Sequence, residues 1–336
     1  MTAGTQGVGG AGTGPETVPA AGVRGKQPAE RPRRRRRKPP HALATFEFAM
    51  LSPALGILLL LSVVPFVVLV AMSFSDVRTL GGVSLTFTGL DNWSAVLSDS
   101  SIWASWMRSL VYFVATVGLE MLLGLAVALI LHQLVRGRSV VLSIALLPMF
   151  LAPVIVGLLG RFMLDSTIGL YAKILQGLGV DHDVFAHPST ALPAVVFIDV
   201  WEWTPLVALI MLAGLTAVPT STLEAATIDG AGYLRILTRI VLPQIRPILL
   251  VALLVRSMDA IRFFDIITVT TNGGPADATK IIPIKLYEFA FRFNNQLGKA
   301  AALGLTMLVF SILLANLFVR FIGERRSADA TAGGER

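Results

Sequence analysis

Residues 223–243 read LEAATIDGAGYLRILTRIVLP, a polar insert between two apolar runs that are each long enough to cross a bilayer. Just before it, Ser221-Thr222-Leu223-Glu224 fits a capping box. The Ser221 hydroxyl would accept from the Glu224 amide while the Glu224 carboxylate reaches back. Ala225 and Ala226 favour helix and keep its face flat. Gly230, following Asp229, is placed to end that helix in a left-handed conformation. A second helix is expected from about Gly232 to Val241, stopping near Pro243. Its apolar residues Leu234, Leu237, Ile240 and Val241 recur at helical spacing. The expected unit is helix–turn–helix. A membrane protein needs no such unit merely to reverse direction.

The rest of the chain sets this insert in a membrane. Of the 336 residues 54% are hydrophobic, and the mean hydropathy is +0.72. A soluble domain of this length is usually less than half apolar. Six segments read as membrane helices, at about 50–73, 109–133, 139–163, 191–214, 247–270 and 300–322. The fold class is therefore an all-α polytopic membrane protein. Its expected organisation is a basic tail (1–45), a first span with an outer loop (46–106), and a core of five spans (107–322). The core carries the insert as a loop at 219–246, and a second tail follows at 323–336. With both termini inside, 18 of the 28 Lys and Arg fall on inner segments. That asymmetry predicts N-in, C-in topology and places the 219–246 loop in the cytosol.

Composition excludes much else. There is no cysteine, so disulfides and thiolate metal sites are out. The four histidines form no metal-spaced pair, and no metal site is expected. No GxxxxGK[ST] phosphate loop, GxSxG or HExxH occurs, so the chain is not expected to be an enzyme. The formal charge of +7 comes largely from the first 40 residues, which end in RPRRRRRK at 31–38. Such a run beside a first span suits anionic lipid rather than nucleic acid. Trp93, Trp103 and Trp106 suit an outer aromatic belt, and residues 165–180 an amphipathic piece on the outer surface.

Charges inside predicted spans mark pathways or internal pairs, because an unpaired one is costly in hydrocarbon. The fourth span holds Asp199 and Glu202, flanked by Trp201, Trp203 and Thr204. The fifth holds Arg256, Asp259, Arg262 and Asp265, with Phe263 and Phe264 beside them. At about 1.5 Å per residue, Glu202 and Arg256 both come near the midplane. They are expected to face one another or to share a water-filled cavity. Aromatic faces beside planar polar groups would suit a sugar. Glu120, alone in the second span, is expected to bond to a neighbouring helix.

The insert closely resembles the EAA loop of ABC importer permeases. The pattern is EAA, three residues, Gly, nine residues, then I-x-L-P, met here by Glu224-Ala225-Ala226, Gly230 and Ile240-Val241-Leu242-Pro243. Residues 88–112, 147–164, 201–206 and 262–275 resemble the carbohydrate-uptake group, maltose MalF-like and glycerol-phosphate UgpA-like. The turn Asn272-Gly273-Gly274-Pro275 is similar to that of the MalF-like rather than the MalG-like subunit. Gly160 departs from the group, which often carries an aromatic there.

The resemblance implies the type I ABC importer fold in a cytoplasmic (inner) membrane. It implies that Glu224, Ala225, Ala226, Asp229, Gly230, Leu242 and Pro243 form a coupling helix lodged in an ATP-hydrolysing subunit. The implied partners are a MalG-like second permease, two copies of the ATP-binding subunit, which hold the ATP and Mg, and an external sugar-binding protein. The alternatives are an ion-gradient-driven secondary transporter, a non-transporting scaffold, and an importer of the same build for a non-sugar solute.

Overall fold

A computed structural model describes residues 41–78, 82, 84–134, 136–180, 182–293 and 296–332, with side chains from 50 to 320. The basic run at 31–38 and its expected lipid contact lie outside the described residues. The chain divides into two units, residues 1–58 and 59–336. In the first, the described part is the start of helix α1 (His41–Ser73), whose side chains from Met50 to Leu58 are exposed.

The second unit continues from α1 into a hairpin, β1 (Ser75–Arg78) against β2 (Ser84–Phe87), with Ser75 opposite Phe87. Helices α2 (Asp91–Ser98), α3 (Ser100–Gln133), α4 (Arg138–Leu146), α5 (Pro153–Met163), α6 (Leu170–Gly177) and α7 (Pro188–Thr216) follow. Then come α8 (Thr220–Ile228), α9 (Tyr233–Ile236), a π turn (Leu237–Val241) and α10 (Leu242–Ala260). The chain closes with α11 (Asp265–Thr270), α12 (Ile282–Tyr287), a second π turn (Glu288–Arg292) and α13 (Leu297–Ala332).

Five described helices are long and apolar enough to cross a membrane: Met50–Ser73, Ser100–Gln133, Pro188–Thr216, Tyr233–Ala260 and Leu297–Arg320. The third predicted span, 139–163, is not one of them. It breaks into α4, a 3-10 turn at Pro148–Phe150, and α5. Two prolines cause the break. Each lacks a donor, and Ala152 before Pro153 is driven to extended backbone with ψ 136. The predicted fifth span, 247–270, also divides, because α10 ends at Ala260 and α11 restarts at Asp265. The last helix runs about ten residues past the predicted end of its span, to Ala332, into what was expected to be a tail.

Helix α7 is the axle of this unit. Its buried side chains point all round the helix rather than to one face, as in the centre of a bundle. Its closest neighbour is α3. A Cβ on Gly124 would lie 2.6 Å from Val207 Cγ1 and 3.1 Å from the Ala208 nitrogen, so only glycine permits this approach. One apolar core, with Tyr112, Ile198, Phe263 and Ile267, fills the end near α11. A second, with Leu131, Val207, Met211 and Ile245, fills the end near α8 and α9. Charged side chains occupy the level between them.

Candidate coupling surface and buried charge cluster

Helix α8 is capped by Pro219, in extended backbone (φ −63, ψ 130), and no side chain caps it. The expected capping box is therefore absent. Proline's fixed φ suits the turn, so the helix starts at Thr220 and Ser221 is already helical. A helical Ser221 cannot adopt the backbone an N-cap needs. The other end follows expectation. Gly230 sits at φ +77. Its N–H bonds the Thr227 carbonyl at 3.0 Å, and the Ala231 N–H bonds the Ala226 carbonyl at 3.0 Å. Those two bonds are the Schellman closure that a left-handed glycine allows.

The second helix does not stop at Pro243. It passes through the π turn, where the Leu242 N–H reaches five residues back to the Leu237 carbonyl, and runs on to Ala260. The wider turn accommodates the proline ring at the second position of α10. The two helices are therefore a short one, α8, and the first turns of a lever of 28 residues, about 42 Å long.

The tip of this unit has two faces. Leu223, Ile236, Leu237 and Leu242 pack against the core that holds Leu131, Met211 and Leu215. Ala226 is buried, and Gln133 Nε2 donates to the Tyr233 hydroxyl at 3.1 Å. The opposite face is bare. Ile228 is 86% exposed, Leu234 71% and Tyr233 55%. Glu224, Ala225, Asp229 and Pro243 are exposed around them. Three large apolar side chains are thus left exposed at a polar tip.

At the middle level the logic reverses. Arg256 is fully buried and makes a two-pronged bond to Glu120, with Nε to Oε2 and Nη2 to Oε1 both at 2.6 Å. Nη2 also donates to Asp199 Oδ2 at 3.2 Å, and Nη1 lies 3.8 Å from Asp259 Oδ2. The guanidinium carbon sits 4.9 Å from the Trp203 ring centre. Helices α3, α7 and α10 are thus tied at one point.

The expected Glu202–Arg256 pair does not form. Glu202 is fully buried, yet neither of its oxygens has a hydrogen-bond partner among the described residues. The planar fork of Arg256 is filled by the better-matched two-oxygen acceptor, Glu120. Asp199, one turn before Glu202, shares the Nη2 group with Glu120, and Nη1 has no hydrogen-bond partner among the described residues. Glu120 does bond to a neighbouring helix, as expected, and the partner is Arg256 itself.

The other residues assigned to a pathway separate by position. Asp259, Phe264 and Asp265 are accessible or half-buried where α10 gives way to α11, and Arg262 bridges back to Asp259 at 3.5 Å. Trp201 and Thr204 line an apolar cavity of about 1220 Å³ between α3, α4 and α7. Phe263 stacks on Tyr112 at 5.3 Å inside the core.

The turn at Asn272-Gly273-Gly274-Pro275 is a polar knot. Asn272 (φ 51) and Gly273 (φ 90) are both left-handed, conformations that asparagine and glycine tolerate. Thr279 Oγ1 donates to the Gly274 carbonyl at 2.7 Å, and Arg292 Nη2 donates to Asn272 Oδ1 at 2.6 Å. Lys280 Nζ lies 2.6 Å from Asp277 and 3.1 Å from Glu288. The hydrogen bond from Lys280 holds Asp277 below the usual carboxylate range. Burial pulls Lys280 down, but its bonds to Asp277 and Glu288 outweigh burial and hold it up.

Residues 120–327 match the family of binding-protein-dependent transport system inner membrane components. The chain belongs to that family. It is 38% identical over 234 residues to the trehalose/maltose transport system permease protein MalF of Thermococcus litoralis, covering 69% of this chain and 79% of that one. It is 36% identical over 247 residues to the sn-glycerol-3-phosphate transport system permease protein UgpA of Agrobacterium fabrum, covering 73% and 83%. Its fold is similar to a chain in the crystal structure of a bacterial ABC transporter involved in the import of the acidic polysaccharide alginate. There the TM-score is 0.73 at 21% identity, over 85% of this chain and 96% of that one.

The chain is thus a multi-pass ABC importer permease of the inner membrane, from a family whose ATP is hydrolysed by a separate subunit. Sequence reasoning on this permease missed the Glu120–Arg256 fork and the aromatic group at Tyr287 and Phe291. A signal for the fork was present. Glu120, Glu202 and Arg256 each lie about 20 Å from the ends of α3, α7 and α10 nearest the 219–246 loop. Depth selects these three together, but only the rotation of each helix decides which two meet.

Proposed function

We propose that this permease forms half of the membrane path of an ATP-driven sugar importer and takes its power stroke through the 219–246 loop. The observation that carries this reading is the bare apolar face of Ile228, Tyr233 and Leu234 at the tip of the EAA segment. Glu224, Ala225, Asp229 and Gly230 flank that face, and Ala226, Leu242 and the Schellman turn hold it rigid. Its partner is an ATP-binding subunit, present in two copies that hold the ATP and Mg. A MalG-like permease completes the path, and an external binding protein delivers the solute. Both chain termini lie in the cytosol.

The geometry suggests how force would travel. Closure of the ATPase pair draws the exposed tip of the 219–246 loop, the knob, sideways. The knob is continuous with the helix Tyr233–Ala260, which at about 42 Å exceeds a hydrocarbon core of about 30 Å. Movement at the tip therefore reaches the far end of α10, and Arg256 carries it to α3 and α7. Rotation of the bundle opens the path beside Asp259, Phe264 and Asp265. The sugar assignment draws on the relatives named above, on the turn at Asn272 and on the charged and aromatic groups at that level.

Glu224→Lys and Gly230→Pro each test the coupling. Both should insert and assemble, yet lose uptake and the ATPase stimulation that solute brings. Normal stimulated ATPase in both variants would remove the coupling assignment. Uptake that survives ATP depletion and collapses with a proton ionophore would favour a gradient-driven carrier instead.

A further inference from the structure

Three aromatic rings line up at the end of the Tyr233–Ala260 helix opposite the knob. Phe264 and Tyr287 have ring centres 5.1 Å apart, and Tyr287 and Phe291 also 5.1 Å. Exposure rises along the series, with Phe264 and Tyr287 half-buried and Phe291 75% exposed. Each ring is placed by a local irregularity. Phe264 sits in the break before α11, Tyr287 ends α12, and Phe291 lies in the π turn that follows. Such turns recur at functional sites.

Charge is fixed beside the rings. The Arg292 guanidinium lies 5.7 Å from the Tyr287 ring centre, held by Asn272 Oδ1 at 2.6 Å and by Glu288 at 3.7 Å. At the foot of the series Arg262 is 67% exposed and Asp265 is exposed. Asp259 links Arg262 to buried Arg256 at 3.5 and 3.8 Å. A face that packs on lipid needs only apolar area, and carboxylates such as Asp259 and Asp265 are depleted from subunit contacts. Rings with guanidinium and carboxylate at their edge match the two aspects of a pyranose, a C–H face and a rim of hydroxyls.

We propose that Phe264, Tyr287, Phe291 and Arg292 form a sugar-docking step at the outer mouth of the path, occupied before the solute reaches the level of Arg256. The proposal rests on the sugar reading above and adds a site and its order in the path. The step receives one sugar ring on Phe291 and Tyr287 and passes it toward Phe264. No bond is made or broken.

The test uses the whole importer, with both permeases, the ATPase and the binding protein, in proteoliposomes. A panel of mono- and disaccharides that includes trehalose and maltose serves as the probe. Phe291→Leu keeps apolar area and loses the ring, whereas Phe291→Trp keeps a ring. Phe291 is mostly exposed, so recovery of assembled complex should match for both, and this is checked first. Phe291→Leu should slow uptake about two- to tenfold, the worth of one ring contact, and Phe291→Trp should stay near wild type. Wild-type uptake in Phe291→Leu, or equal loss in both variants, overturns the docking step and leaves the sugar reading standing. If the wild-type importer takes up no sugar in the panel, the sugar reading falls and this proposal falls with it.

Discussion

The helix from Tyr233 to Ala260 carries two kinds of site, and they obey opposite rules. At its start, apolar side chains stand bare: Ile228 just before it, then Tyr233 and Leu234. Near its other end a charge is wholly buried, and Arg256 is held by Glu120 on α3, Asp199 and the Trp203 ring on α7, and Asp259 one turn on. A surface that waits for another protein leaves its apolar area unsatisfied. A joint that must hold while helices move is satisfied internally. The first kind should tolerate mutation in folding and fail in function, whereas the second should fail in folding.

The largest expected effect breaks the joint. Arg256→Ala leaves the Glu120 carboxylate buried and unpaired, which costs about 3–5 kcal/mol. Thermal unfolding of the purified complex should drop sharply or the chain should fail to accumulate. Glu120→Gln combined with Arg256→Gln should be far from additive, because each single change orphans the other's partner. Glu202→Gln combined with Arg256→Gln should be closer to additive. Equal coupling in both cycles would remove the distinction drawn between Glu120 and Glu202.

Next comes the close approach of α3 and α7. Gly124→Ala forces a Cβ to 2.6 Å from Val207 Cγ1, an overpacking worth about 1–3 kcal/mol. A melting temperature equal to wild type would mean the helices separate at little cost. At the knob, Ile228→Asp should change stability by less than about 0.5 kcal/mol because the side chain is exposed. Uptake should nonetheless fall at least tenfold, as at a docking hot spot. Strong destabilisation would show that Ile228 packs internally and would erase the contrast between the two sites.

The smallest effect is at the turn that follows Asn272-Gly273-Gly274-Pro275. Asp277 is held below its ordinary range by Lys280. The contact therefore adds stability above the ordinary Asp value of about 4 and loses it as pH falls through the lower folded value. The group is largely exposed, so the effect is slight. Asp277→Asn should remove it, seen as flatter acid dependence of turn proteolysis. Unchanged acid dependence would put its source elsewhere.

The two regions were not equally legible in the sequence. The left-handed Gly230 and the two-helix character of the knob follow from neighbours in the chain, and both stand. The stop at Pro243 and the Ser221 cap do not stand. A π turn and a preceding proline supplied local solutions that spacing does not encode. Pro148 and Pro153 mark in the sequence where the third span is interrupted, whereas hydropathy alone reads one apolar run because it ignores the two backbone donors they remove. In the charge cluster, composition and depth pointed to the level of the bundle at which Glu120, Glu202 and Arg256 are buried. The partner of Arg256 was missed because pairing across three helices depends on their rotation and on the match of a planar fork to two oxygens. Tyr287 and Phe291 were missed because they lie outside the predicted spans, where aromatic residues carry no periodic signal.

The most direct test of the account is photocrosslinking from position 228 in intact membranes, with a crosslinking amino acid in place of the exposed Ile228. Coupling through the knob predicts a covalent adduct with the ATP-binding subunit, in a yield that changes when ATP is trapped. Adducts with lipid alone, or labelling of position 228 from outside the cell, would contradict it.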